Sequence, residues 1–155
     1  MKKWKKEITL NVPIEFAWPY FYGNIEKKKK IFPKVVKEKF IRQTEQIVGS
    51  VIQQTSQLGS LTEEYEISLT KYINTADYKT FQESFLLNDR FRMTIDYELK
   101  KESETTTKFI YTSINKPKNP LLSIFQLFGK DDVVVNFMNR TKETVEDAYY
   151  TNGVE

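Results

Sequence analysis

Apolar and polar residues alternate along most of this chain, and the period changes near its two ends. Ile8, Leu10 and Val12 alternate with Thr9 and Asn11, which predicts a strand over Trp4 to Val12. Pro13 suits the first turn of a helix, and Glu15 is favourable at that positive end. A short helix is therefore predicted over Pro13 to Tyr22. Pro19 costs ~3 kcal/mol in a helix interior, so a kink or early stop is expected there. Gly23-Asn24 breaks the chain, Ile25 to Lys30 predicts a second short helix, and Phe32-Pro33 ends it.

From Val35 to Asn115 the period is that of strands. Turn signals recur at Gly49-Ser50, Gly59-Ser60, Asn74 to Asp77, Asn88-Asp89 and Lys101 to Glu104, and turns at such intervals predict an antiparallel meander of about six strands. The clearest strand is Leu61 to Ile73, with Tyr65, Ile67 and Leu69 facing one way. Phe91, Met93, Ile95, Tyr97 and Leu99 alternate against Arg92, Thr94, Asp96, Glu98 and Lys100. Each strand thus has one buried and one solvated face.

Asn115 to Pro120 reads as a linker and Leu121 to Phe128 as an apolar patch. A final helix, capped by Asp131 or Asp132, is predicted to about Tyr150. Val134, Phe137, Met138, Thr141, Val145, Ala148 and Tyr149 fall on one stripe, and Lys142 and Glu146 form an i,i+4 pair off it. The result is an α+β chain: a curved antiparallel sheet of about seven strands, two short helices after strand 1, and a long C-terminal helix. That helix is the only element big enough to cover the sheet.

Composition narrows the chemistry. The 155 residues fit a single domain over 1–155. Histidine and cysteine are both absent, which excludes imidazole bases, thiolate nucleophiles and His- or Cys-ligated metal, so no metal and no cofactor is expected. A net charge of +3 is far from that of a polycationic nucleic-acid binder. Phosphate-loop, dinucleotide and ribonucleoprotein-type motifs are absent. No targeting or membrane-spanning run is visible, and a cytoplasmic location is expected.

Val12-Pro13-Ile14-Glu15-Phe16-Ala17-Trp18 is similar to the strand-to-helix Pro-x-Glu-x-Val-Trp segment of the START-like superfamily, also called SRPBCC or helix-grip. Phe32-Pro33-Lys34-Val35 resembles its next aromatic/Pro/Val marker, and Thr141-Lys142-Glu143-Thr144-Val145-Glu146 the end of its C-terminal helix. Pro19 and the Lys27 to Lys30 run depart from the common pattern. The resemblance covers nearly the whole chain. It implies the helix-grip fold and an internal cavity, between sheet and helix, for a small hydrophobic molecule such as a lipid, isoprenoid or aromatic metabolite. Lipid transport and polyketide cyclase/dehydrase chemistry both occur in that superfamily.

The candidate cavity lining follows from the inward faces. The sheet supplies Tyr65, Ile67, Leu69, Phe81, Glu83, Phe85, Met93, Ile95, Tyr97, Phe109 and Tyr111, and the helix supplies Val134, Phe137, Met138 and Thr141. Glu83 stands out, because its alternate neighbours Phe81, Phe85 and Leu87 are apolar. A carboxylate there needs a partner, a raised pKa or a polar ligand group. Three readings stay open: a register slip or bulge that turns it to solvent, an ion pair with Arg92 or Arg90, or a ligand-orienting or catalytic acid. The tyrosines read as core residues with satisfied hydroxyls or as ligand contacts.

The polar strand around Gln53, Gln54, Thr55 and Gln57 reads as an exposed edge rather than a cavity wall. Lys27 to Lys30 read as a solvated face, the alternative being contact with an anionic membrane or an acidic partner. The Leu121 to Phe128 patch reads as a short helix on the sheet edge, a gate or a dimer contact. The leading expectation is non-catalytic binding of the small molecule. The alternatives are a cyclase, dehydratase or hydrolase using Glu83 beside a tyrosine, and an interaction domain with a filled core.

Overall fold

The computed structural model describes residues 2–87, 90–117 and 131–152. Strand β1 (Lys2–Leu10) leads into a four-residue helix α1 (Ile14–Ala17). Pro13 supplies the carbonyl for the amides of Phe16 and Ala17, at 3.0 and 3.1 Å. The predicted helix to Tyr22 stops at Ala17, and Trp18–Tyr20 form one tight 3-10 turn with Pro19 inside it. Proline has no amide to give to a continuing α-helix but fits a first turn. Helix α2 (Ile25–Ile31) follows, with the Asn24 side chain capping the Lys27 amide at 3.0 Å.

Six further strands are β2 (Val35–Arg42), β3 (Val51–Leu58), β4 (Leu61–Asn74), β5 (Tyr78–Leu87), β6 (Phe91–Lys101) and β7 (Thr107–Pro117). They join β1 in one curved antiparallel sheet of seven strands, in the order β1-β7-β6-β5-β4-β3-β2. Gly59-Ser60 close the β3–β4 hairpin between paired Leu58 and Leu61. Gly59 takes φ +62° there, a conformation open to residues without a Cβ. Strand β3 is interior to the sheet, with Thr55 and Ser56 buried. The expected exposed edge is β2 instead. The polarity of β3 reflects side-chain pairing with its neighbours, such as Gln53 with Glu64 at 3.2 Å.

Helix α3 (Asp131–Asn152) packs against β1 and α2. Met138, Thr141 and Val145 are buried on its stripe, and Val134, Phe137, Ala148 and Tyr149 pack beside them. Lys142 donates to Glu146 and to the Thr9 carbonyl, and Glu146 accepts from the Asn11 amide at 2.7 Å. The predicted i,i+4 pair thus also ties α3 to the end of β1. Helix α3 is not the sole cover of the sheet, however. Ile14, Ala17, Trp18, Tyr20, Phe21 and Ile31, from the segment between β1 and β2, all lie in the same core. Its aromatic side chains bury large areas from very short helices.

Candidate functional site

A pocket of about 460 Å³ lies between α2, the loop 43–50 and strands β2 to β5. Tyr22, Gly23, Asn24, Ile25 and Lys28 line one side; Glu38, Lys39, Phe40, Gln43, Ile47, Ile52, Leu69, Phe81 and Glu83 line the other. Most of this wall is apolar. Tyr22 is set by its ring contacts with Phe81 and Tyr72, at 5.4 and 5.1 Å between centres. Ile47 holds φ at 70°, an uncommon region for a β-branched side chain. The loop imposes it: Gly49 donates to the Leu69 carbonyl, Ser50 to that of Ile47, and the Thr44 hydroxyl to that of Val48.

The polar end is built from three charged side chains. Ile25, Lys28 and Ile31 repeat at intervals of three on α2, so Lys28 faces inward with its apolar neighbours and is only 7% exposed. Its Nζ lies 2.8 Å from Glu38 Oε2 and 3.7 Å from Glu83 Oε1. It also stands 5.7 and 5.9 Å from the ring centres of Phe32 and Phe81. Glu38 Oε2 accepts a further bond from Gln54 at 2.6 Å. Burial opposes a charge on Lys28, but the charges of Glu83 and Glu38 outweigh it and raise its pKa. For Glu83 the balance is reversed. Burial pushes its pKa up, Lys28 pulls it down, and the Glu38 charge pushes it up again, leaving it above the ordinary 4.5.

Solved structures with the same arrangement of strands and helices come from several settings. Ara h 8.0201 is 13% identical, with a TM-score of 0.70 over 97% of this chain and 99% of that one. Norcoclaurine synthase from Thalictrum flavum, in complex with dopamine and hydroxybenzaldehyde, is 12% identical, with a TM-score of 0.62 over 94% and 87%. The di-domain ARO/CYC protein BexL, from the BE-7585A biosynthetic pathway, is 15% identical, with a TM-score of 0.71. The match spans 98% of this chain and 48% of that one. The fold is the helix-grip fold of START-like, Bet v1-like proteins. At these identities the likeness concerns fold alone. No family model and no curated protein matches the sequence.

Within the helix-grip frame, Leu69, Phe81 and Glu83 are the predicted cavity residues that line this pocket. Ile67, Ile95, Tyr97, Phe109, Met138 and Thr141 are buried elsewhere in the interior. Tyr97 stacks on Phe81 with 4.8 Å between ring centres, and Phe137 meets Phe32, Phe109 and Tyr111. Phe85 and Val134 are half-buried against the same core, and Met93 is half-buried opposite Phe85. The Tyr65 hydroxyl is taken up by the Glu63 carboxylate, and burial with that bond pushes its pKa up to about 12.

Register decides Glu83. It pairs with Leu69 and Ile95 and faces inward, whereas Arg92 pairs with Leu86 and lies on the opposite face. Arg90 is exposed in the turn. The expected arginine partners are therefore replaced by Lys28. One lysine of the run read as a solvated face is a buried ion-pair partner, and of the four only Lys30 is exposed, Lys27 and Lys29 being half-buried. No hydrogen bond joins Glu83 to a tyrosine hydroxyl among the described residues.

Lys28, Glu38, Ile47 and Ile52 also line the pocket, though the pattern of the chain does not mark them as cavity residues. The signal for Lys28 was its position between Ile25 and Ile31. The Leu121 to Phe128 patch lies outside the described residues. Among the described residues no acidic cluster suited to a metal and no helix long and apolar enough to cross a membrane occurs.

Proposed function

We propose that the chain binds a small, mostly apolar molecule in the pocket between α2 and strands β2 to β5. The observation that carries this is the pocket itself: about 460 Å³, walled by Tyr22, Ile25, Phe40, Ile47, Ile52, Leu69 and Phe81, with charged groups converging at one end. Small-molecule sites have this character, an apolar body with few polar groups that set orientation. The strained backbone at Ile47 adds support, since such conformations cluster at functional sites. The norcoclaurine synthase complex and BexL have this fold, which is consistent with small-molecule binding or conversion on it.

The test uses Nile red, an uncharged dye whose emission rises in apolar surroundings. Binding is expected at about one dye per chain. Ile25→Trp and Ile52→Trp fill the pocket from two sides and are expected to weaken binding about tenfold or more. Dye binding unchanged in both folded variants would overturn the assignment of this pocket.

A further inference from the structure

Charge at the polar end of the pocket is unevenly matched. Two carboxylates meet one ammonium. Lys28 is engaged closely by Glu38 at 2.8 Å, while Glu83 stands at 3.7 Å from the same Nζ. Glu38 also receives Gln54. Glu83 has no closer polar partner among the described residues, yet it is 6% exposed and lines the pocket. A carboxylate offers about four acceptor sites, and burial makes unfilled ones costly. The other cation on the lining, Lys39, is exposed on β2, where solvent screens it.

We infer that the pocket selects ligands carrying a protonated amine on an aromatic or other apolar body, with the ammonium seated on Glu83. This rests on the binding role proposed above and names the ligand class. An incoming ammonium supplies both the missing charge and the missing donors. The aromatic faces of Tyr22, Phe40 and Phe81 on the lining suit a cation as well. A carboxylate ligand would meet Glu83 and Glu38 as like charges, with Lys28 already engaged.

In the empty pocket, burial and the Glu38 charge raise the Glu83 pKa and Lys28 opposes them, leaving it above the ordinary 4.5. An ammonium seated on the Glu83 carboxylate lowers that pKa again. The groups facing Glu83 are Lys28 on α2, Glu38 on β2, Tyr97 on β6 and Tyr111 on β7. Lys28 and both tyrosines have raised pKa values and keep their protons at neutral pH. Amine affinity therefore rises as pH climbs through the Glu83 titration, and binding within that window releases protons.

The experiment compares 2-(1-naphthyl)ethylamine, 2-(1-naphthyl)ethanol and 1-naphthylacetic acid by calorimetry, in buffers of different ionisation enthalpy. In the native protein the amine is expected to bind about tenfold or more tighter than the alcohol, and the acid weakest. Glu83→Gln should bring the amine to within about threefold of the alcohol and abolish the proton release. The inference is overturned if the acid binds as tightly as the amine, or if Glu83→Gln keeps the preference. An alcohol that binds and is blocked by Ile52→Trp, without any amine preference, overturns this inference alone. Failure of all three ligands to bind, or binding unaffected by Ile52→Trp, overturns the binding role as well.

Discussion

Glu83 and Lys28 show how one ion pair can have two unequal members. Replacing Lys28 by Met leaves Glu38 and Glu83 without their cation. This is expected to cost about 3–5 kcal/mol, because breaking a buried pair strands a charge. Replacing Glu83 by Gln keeps the shape and removes a carboxylate that burial disfavours, so stability should hold or rise. The pH dependence fixes the sign. The Glu83 pKa is raised in the folded state, so the native protein binds more protons than the unfolded chain between 4.5 and that raised value. Its charge therefore lowers stability as pH rises through this window. The melting temperature of Glu83→Gln should exceed that of the native protein at about pH 8, and the gap should close towards about pH 4. A gap that widened in acid would contradict the assignment. At Ile47, substitution by Gly should relieve the backbone strain of φ 70° and remove part of the pocket wall. Dye affinity should fall while melting changes little.

On α2, the run of four lysines divides by position. Lys30→Ala should leave melting unchanged because the side chain is exposed, in contrast to the large loss at Lys28. On α3, Val145 is fully buried, and Val145→Asp should cost about 4 kcal/mol or more, or prevent folding, by burying an unpaired charge. Glu146 on the same helix behaves oppositely to Glu83. Burial raises its pKa, but hydrogen bonds from Lys142 and the Asn11 amide outweigh this and leave it lowered. Its contribution is present above the ordinary 4.5 and is lost as pH falls through the lowered value. Glu146→Gln should therefore melt lower than the native protein at neutral pH, with the difference vanishing in acid. Equal melting curves at neutral pH would show that the α3–β1 tie is not stabilising.

For the whole molecule, the pocket sits towards the β2 edge, beside α2, while α3 closes on β1 at the opposite edge. Ligand that binds only the folded chain stabilises it by mass action, about 2.7 kcal/mol at a hundredfold excess over Kd. Melting temperature should rise with Nile red or the naphthyl amine and rise less in Ile52→Trp. Beneath α3, Tyr97 meets Tyr111, and Phe137 meets both Tyr111 and Phe109, in ring contacts. Met138→Trp should consequently strain that packing and cost stability, rather than compete with ligand in this pocket.

Strand and helix assignments, the Gly59-Ser60 hairpin, the stop near Pro19 and the α3 stripe were all legible in the chain. Each rests on periodicity or turn chemistry that acts within a few residues. The inward aim of Glu83 was legible for the same reason. Its partner was not, because Lys28 lies far away in the chain and only the docking of α2 brings the two together. The bulge between Leu69 and Lys71 carried no clear signal either. It reverses the alternation of β4, so Leu69 and Tyr72 both reach the core. Local pattern thus determined which faces are buried. Where the pocket lies, and which charges meet in it, was decided by sheet curvature, the bulges in β2 and β4 and the seating of a seven-residue helix, all of which depend on contacts between residues distant in the chain.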